Sequence, residues 1–236
     1  EGTILIESEA KTKIAAPVKN VVIGSGNEEV EINSTVDQLI VRNNANIKLG
    51  EGSNIGKATK RVGVEVTATN GNGTPIVFEE VLDKFELERM IIDADDILEN
   101  TVVGEVEGNY SQASKDQLAT DINQAKSVND SSTEVTTTVQ NQVDVATVTL
   151  QEAINTFKNS VVTIDRSQLN YEWNRAQRVA NRAIIGNNTG QYPQTAHDDL
   201  TSVIEEAKTM YETFGKTQAQ IDEKVEELTQ AIETFV

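Results

Sequence analysis

The sequence predicts a mixed fold, β structure first and α structure after, in separate domains. Three observations predict it. Pairs of apolar residues return every 17 to 19 positions through the first 70 residues. After the Gly- and Asn-rich stretch at residues 69–75 (TNGNGTP), the apolar spacing changes from two to that of a helix. The run VGEVEGNY at residues 103–110 then returns as IGNNTGQY at residues 185–192, an offset of 82. A repeat of that length carries several helices, so it is a small domain in tandem and not one rung of a solenoid.

In residues 3–68 the apolar residues alternate with polar ones: Ile4/Ile6, Val21/Ile23, Val30/Ile32, Leu39/Val41, Ile47/Leu49 and Val62/Val64/Val66. Turn formers punctuate them at Gly24-Ser25-Gly26-Asn27, at Asn43-Asn44 and at residues 50–54. Ile4 and Ile6 precede Val21 and Ile23, which precede Leu39 and Val41, while Val30, Ile32 and Val36 precede Ile47, Leu49 and Ile55. A near-constant interval of this kind predicts stacked rungs of a right-handed parallel β-helix, about three and a half of them. A sandwich of short antiparallel strands is the alternative. A first rung at residues 3–7 exposes unpaired backbone groups. It leads us to expect further rungs before Glu1, a covering chain, or self-association through that edge.

Helical spacing begins near Val81. Leu87, Ile91, Ala94 and Leu98 share one face of a first helix, with Gly104 as its expected stop. A second helix over residues 112–128 buries Leu118, Ile122 and Ala125. A third starts near Ser131, where Ser131-x-x-Glu134 can form a capping box, and carries Val143, Leu150, Ile154 and Phe157. The second copy follows suit: Asp165-x-x-Gln168 caps a helix burying Leu169, Trp173, Ala176, Ala180 and Ala183. Pro193 sits early in the next helix. Thr217-x-x-Gln220 opens the last, with Ile221, Val225, Leu228, Ile232 and Phe235 inward. The predicted organisation is a β-helix segment over 1–70, a linker over 71–78, and antiparallel three-helix bundles over 79–160 and 161–236.

The run Gly190-Gln-Tyr-Pro-Gln, then Leu200, Ile204 and Ala207, then Thr217-Gln-Ala-Gln-Ile-Asp and Leu228-x-x-Ala-Ile-x-x-Phe235, resembles the FIVAR domain. The first copy matches more loosely, with Ser111 for the proline and Val143-Asp144 for Ile221-Asp222. The resemblance covers about 155 of the 236 residues. It implies small helical bundles without catalysis, of the kind found in large secreted and wall-attached bacterial proteins beside carbohydrate-active domains and surface-layer anchors.

Composition narrows the function. A formal charge of −18 opposes binding to nucleic acid phosphates, and 4% aromatic residues leave little for base stacking. The absence of cysteine removes disulfides, thiolate zinc sites and cysteine nucleophiles. No apolar run spans a bilayer, the start at Glu1 and not Met points to a processed or excised fragment, and stretches rich in Thr, Asn, Gln, Ser and Val suit an extracellular protein. His197 is the only histidine, so no His-based triad or metal pair can form. Trp173, matching Ile91, reads as core, and Tyr110 and Tyr192 read as loop-to-bundle anchors. Asp93-Ala-Asp95-Asp96 lacks calcium-loop spacing. Glu28, Glu29, Glu31 and Asp37, with Arg42 and Lys48, read as a solvated rung face. No residue is assigned to catalysis, a cofactor or a metal.

One feature stands apart from this acidic background. Arg175, Arg178 and Arg182 form a stripe opposite Trp173 on the first helix of the second copy, where the first copy has Asp93, Asp96 and Asn100. Pairing with acids such as Glu172 is one account of the stripe; docking on an anionic polymer or an acidic partner face is the other. The expected function is a non-catalytic spacer or presentation segment at the bacterial cell surface or cell wall, touching polysaccharide or neighbouring domains. The alternatives are a carbohydrate-binding module, which the lack of aromatics in residues 3–68 disfavours, and a fragment of a polysaccharide lyase, an enzyme class that can use a β-helix.

Overall fold

The computed structural model describes residues 2–7, 10–24, 29–69 and 73–236. Most of the expected turn at Gly24–Asn27, the acid Glu28 and residues 70–72 of the expected linker lie outside the described residues.

The β segment is a parallel solenoid of about four turns. Strands β1 (Thr3–Ile6), β3 (Val18–Ile23), β5 (Thr35–Val41), β7 (Asn54–Arg61) and β9 (Glu79–Val81) form one sheet, in that order. Strands β2 (Thr12–Ile14), β4 (Val30–Ile32), β6 (Ala45–Leu49) and β8 (Val66–Thr69) form the other. Every pairing between these strands is parallel, which sets the antiparallel sandwich aside. The register is that of the sequence repeat: Ile4 pairs with Val21 and Val21 with Leu39, while Val30 pairs with Ile47. Val21, Ile23, Val30, Ile32, Leu39 and Val41 are all fully buried, so each column of branched side chains stacks on itself inside the coil. The first sheet takes one more strand, β9, after the linker stretch.

Six helices follow: α1 (Phe85–Glu99), α2 (Gln112–Ser131), α3 (Thr137–Asn159), α4 (Ser167–Arg182), α5 (Gln194–Glu212) and α6 (Gln218–Phe235). Contacts divide the chain into two units. One holds Glu1–Asp95 and Thr120–Ala153; the other holds Asp96–Ala119 and Ile154–Val236. In the second unit α4, α5 and α6 pack on one another around Leu169, Ala176, Leu200, Ala207, Ile221, Leu228 and Ile232. The first repeat buries the equivalent positions: Leu87 and Ala94, Leu118 and Ala125, and Val143, Leu150 and Ile154.

The repeated Gly-x-x-x-Gly-x-Tyr run makes the same loop twice. Gly104 N–H donates to Tyr110 O at 3.0 Å and Gly186 N–H to Tyr192 O at 2.9 Å. Tyr110 stacks on Phe157 at 4.3 Å and Tyr192 on Phe235 at 4.4 Å, so both tyrosines anchor a loop to the end of a third helix.

Five helix ends differ from expectation. Helix α1 ends at Glu99, not at Gly104, because the Asn100 and Thr101 side chains donate to the carbonyls of Asp96 and Ile97 at 2.8 and 2.7 Å. Helix α2 continues to Ser131, and α3 starts at Thr137, where Thr136 Oγ1 accepts from Val139 N–H. Ser131 therefore ends a helix instead of capping one. At α4, Asp165 accepts from Ser167 N–H at 2.8 Å, whereas Gln168 turns to Glu172, so no box forms. Pro193 lies immediately before α5. Thr217 and Gln220 form the expected capping box.

Candidate functional site

The arginine stripe lies on α4, but its members differ. Arg175 is half-buried and donates to Glu172 at 3.0 Å. Glu172 is only 6% exposed, so Arg175 serves to pair a buried carboxylate. Arg178 and Arg182 are exposed on the following turns and keep their charge toward solvent. Trp173 is half-buried against the bundle core and leans on Tyr211 at 5.8 Å. His197 lies edge-on to Phe235 at 6.4 Å.

A second set of polar residues recurs in both repeats, and the sequence reading passed over it. Asp83 N–H donates to Gln140 Oε1 at 2.8 Å, and Gln140 Nε2 returns to Asp83 O at 2.9 Å and to Asp144 Oδ1 at 3.0 Å. Asp165, Gln218 and Asp222 make the same three bonds at 2.9, 3.1 and 2.8 Å. Each clamp ties the entry of a first helix to the start of a third. The carboxamide suits the task because it donates and accepts at once.

What meets the clamp differs between the copies. At the first, two cations come from adjacent rungs of the solenoid. Arg42 Nε lies 3.4 Å from Asp83 and its guanidinium sits 4.2 Å above the Phe85 ring, while Arg61 pairs with Asp144. Arg42 is thus not on a solvated rung face as expected, and neither is Glu29, whose side chain is 17% exposed and bridged by Lys11 and Lys48, which hold its carboxyl below the usual range. With Lys84, Arg42 and Arg61 line a cleft of about 330 Å³ whose wall includes Phe85, 48% exposed.

At the second clamp the signs are reversed. Glu107, from the first repeat's loop, takes a two-pronged bond from Arg166, both arms at 2.7 Å, with side chains 14% and 16% exposed. The Arg166 guanidinium holds the Glu107 carboxyl below the glutamate range, and Gly215 N–H adds a bond at 3.2 Å. Backbone bonds flank the pair: Glu107 N–H to Lys216 O, Gly108 N–H to Val162 O and Val162 N–H to Asn109 O, at 2.7–3.0 Å. Gly108 adopts φ +89° with the Phe214 ring packed on it, and a Cβ there would come within 2.9 Å of that ring.

These sites bind charge and hold backbone. Among the described residues no group of three or more His, Cys, Asp or Glu side chains is placed to hold a metal ion. No helix among them is long and apolar enough to cross a membrane. A signal for the clamps did exist: Asp83/Gln140/Asp144 and Asp165/Gln218/Asp222 occupy matching repeat positions.

No family model matches the chain. It is similar to a gellan lyase from a Bacillus species, 33% identical over 156 residues, which make up 65% of this chain but only 6% of that protein. The chain therefore spans a small fraction of the relative. Fewer than 90 residues precede α1, so an alignment of this length runs into the helices.

Proposed function

We propose that the chain is a non-catalytic spacer and presentation segment of a large secreted or wall-attached bacterial protein that works on polysaccharide, and that its two helical repeats are modules of the FIVAR kind. The reading rests chiefly on one observation: the best-formed ionic contact, Glu107–Arg166, joins one repeat to the next instead of lining a reaction cleft. The similarity to a 6% portion of a gellan lyase supports it, because a segment of that size suits an accessory part of such a protein. Arg178 and Arg182, with Arg175 behind them, are the stripe on which an acidic neighbour or anionic wall polymer would dock.

The test is to incubate the purified chain with gellan and follow new chain ends and unsaturated sugar products. No depolymerisation is expected; sustained cleavage would turn the assignment to a lyase fragment.

The cleft of Arg42, Arg61, Lys84 and Phe85 favours a second reading, a carbohydrate-binding module for an acidic glycan. Guanidinium and ammonium groups recognise carboxylates, and Phe85 stays 48% exposed although Arg42 covers one face of its ring. A glycan array probed with the chain and with Lys84→Gln separates the two. Binding to an acidic polymer that is lost in the variant establishes the module, and a blank array leaves the spacer.

A further inference from the structure

The first helices of the two repeats carry opposite charge. Helix α1 holds one arginine against six acidic residues, and that arginine, Arg89, is closed off by Glu86 and Asp93 at 2.9 Å each. Helix α4 holds three arginines against one glutamate. That glutamate, Glu172, is buried and taken by Arg175. Arg178 and Arg182 are exposed, and neither makes an ion pair with a described residue.

A fourth residue shares their face. Tyr171 lies four, seven and eleven positions before Arg175, Arg178 and Arg182, so the four fall within about 60° of one another around the helix. At the helical rise the row is about 16 Å long. Tyr171 is 58% exposed and is the one large apolar side chain that α4 leaves in solvent. Its counterpart in the first repeat is Arg89. Tyrosine forms helix less readily than arginine, so propensity does not account for the ring. Packing does not account for it either, because Leu169, Ala176 and Ala180 fill the core from this helix.

We infer that this face of α4 binds a carboxylated polysaccharide laid along the helix, with Tyr171 under the apolar face of a sugar ring and Arg178 and Arg182 on carboxylates of neighbouring units. The inference rests on the docking role given to the stripe above and selects one of its two partners. Charge gives the sign of the ligand, and at physiological salt acids more than about 8 Å away are largely screened. The side chains give its class. A guanidinium matches a carboxylate with two parallel bonds, and an aromatic ring packs against the C–H face of a sugar. A protein interface is built on an apolar core, whereas here one ring stands alone among arginines. A phosphate polymer without rings leaves Tyr171 unused.

Affinity electrophoresis of the whole chain through gels containing polygalacturonate tests this, with dextran and polyphosphate gels as controls. Polygalacturonate should retard the chain, and less so as salt rises. Arg178→Gln/Arg182→Gln should weaken that binding by about fivefold or more with helical content unchanged, since both side chains are exposed. Tyr171→Ala should weaken it too, and Tyr171→Phe should restore it, because the ring and not the hydroxyl is used. Arg175 stays in place, since its removal would strand the buried Glu172. Lys84→Gln, at the solenoid cleft, should change nothing. No retardation by polygalacturonate, equal retardation by polyphosphate, or full binding by the double variant or by Tyr171→Ala overturns the inference. So does binding lost in Lys84→Gln, which would give the ligand to the cleft. The spacer reading fails by a different sign, shortening of the polymer, whether or not the α4 variants bind it.

Discussion

At the scale of single residues, Glu107 and Arg166 make the sharpest claim. The folded-state pKa of Glu107 is lowered by Arg166, so the bond adds stability above the ordinary glutamate pKa of about 4.3 and loses it as pH falls through the lowered folded value. Thermal melts of Glu107→Gln against the natural chain should therefore show a gap at neutral pH that narrows in acid; a gap independent of pH would mean that the charge does no work there. Arg166→Lys should destabilise as well, because an ammonium cannot reproduce the two-pronged geometry. In the bundle core Phe235, 6% exposed and stacked on Tyr192, should cost about 3–5 kcal/mol when cut to alanine. Trp173→Ala should cost less, since that ring is only half-buried, and chemical denaturation of both variants gives the ranking.

At the scale of elements, the solenoid was legible because burial selects for branched apolar residues and a parallel stack repeats the selection at each rung. The columns Val21–Leu39 and Val30–Ile47 stand in the sequence at the register the sheets adopt. The helices were legible for the same reason at a different period. Their ends were not. Gly104 looked like a stop, yet Asn100 and Thr101 close α1 earlier by bonds that any chain with those side chains could make or forgo. Thr217 was correctly placed because both halves of its box are present, and Thr217→Ala should cost about 1 kcal/mol in a thermal melt. The charged contacts were hidden for another reason. Arg61 meets Asp144 across 83 positions and Arg166 meets Glu107 across 59, and no local pattern separates such a pair from two solvated side chains. Only the repeat could have singled out Gln140 and Gln218, by their recurrence at matching positions.

At the scale of the molecule, the proposed role is that of a part that sets the placing of other parts. Three of its ion pairs lie where one module meets the next, with cations from the solenoid at Asp83 and Asp144 and an anion from the first repeat at Arg166. The opposite signs give each connection its own complementarity, a form of specificity that a flexible linker lacks. The natural chain contains no cysteine, so two labels can be introduced without background. Spin labels at Ala113→Cys and Ser202→Cys, both exposed positions in the second unit, report the distance between the first repeat's connection and the second bundle. The account predicts one narrow distance distribution in the otherwise natural chain and a broad one when Glu107→Ala is added; a broad distribution with Glu107 intact would contradict it.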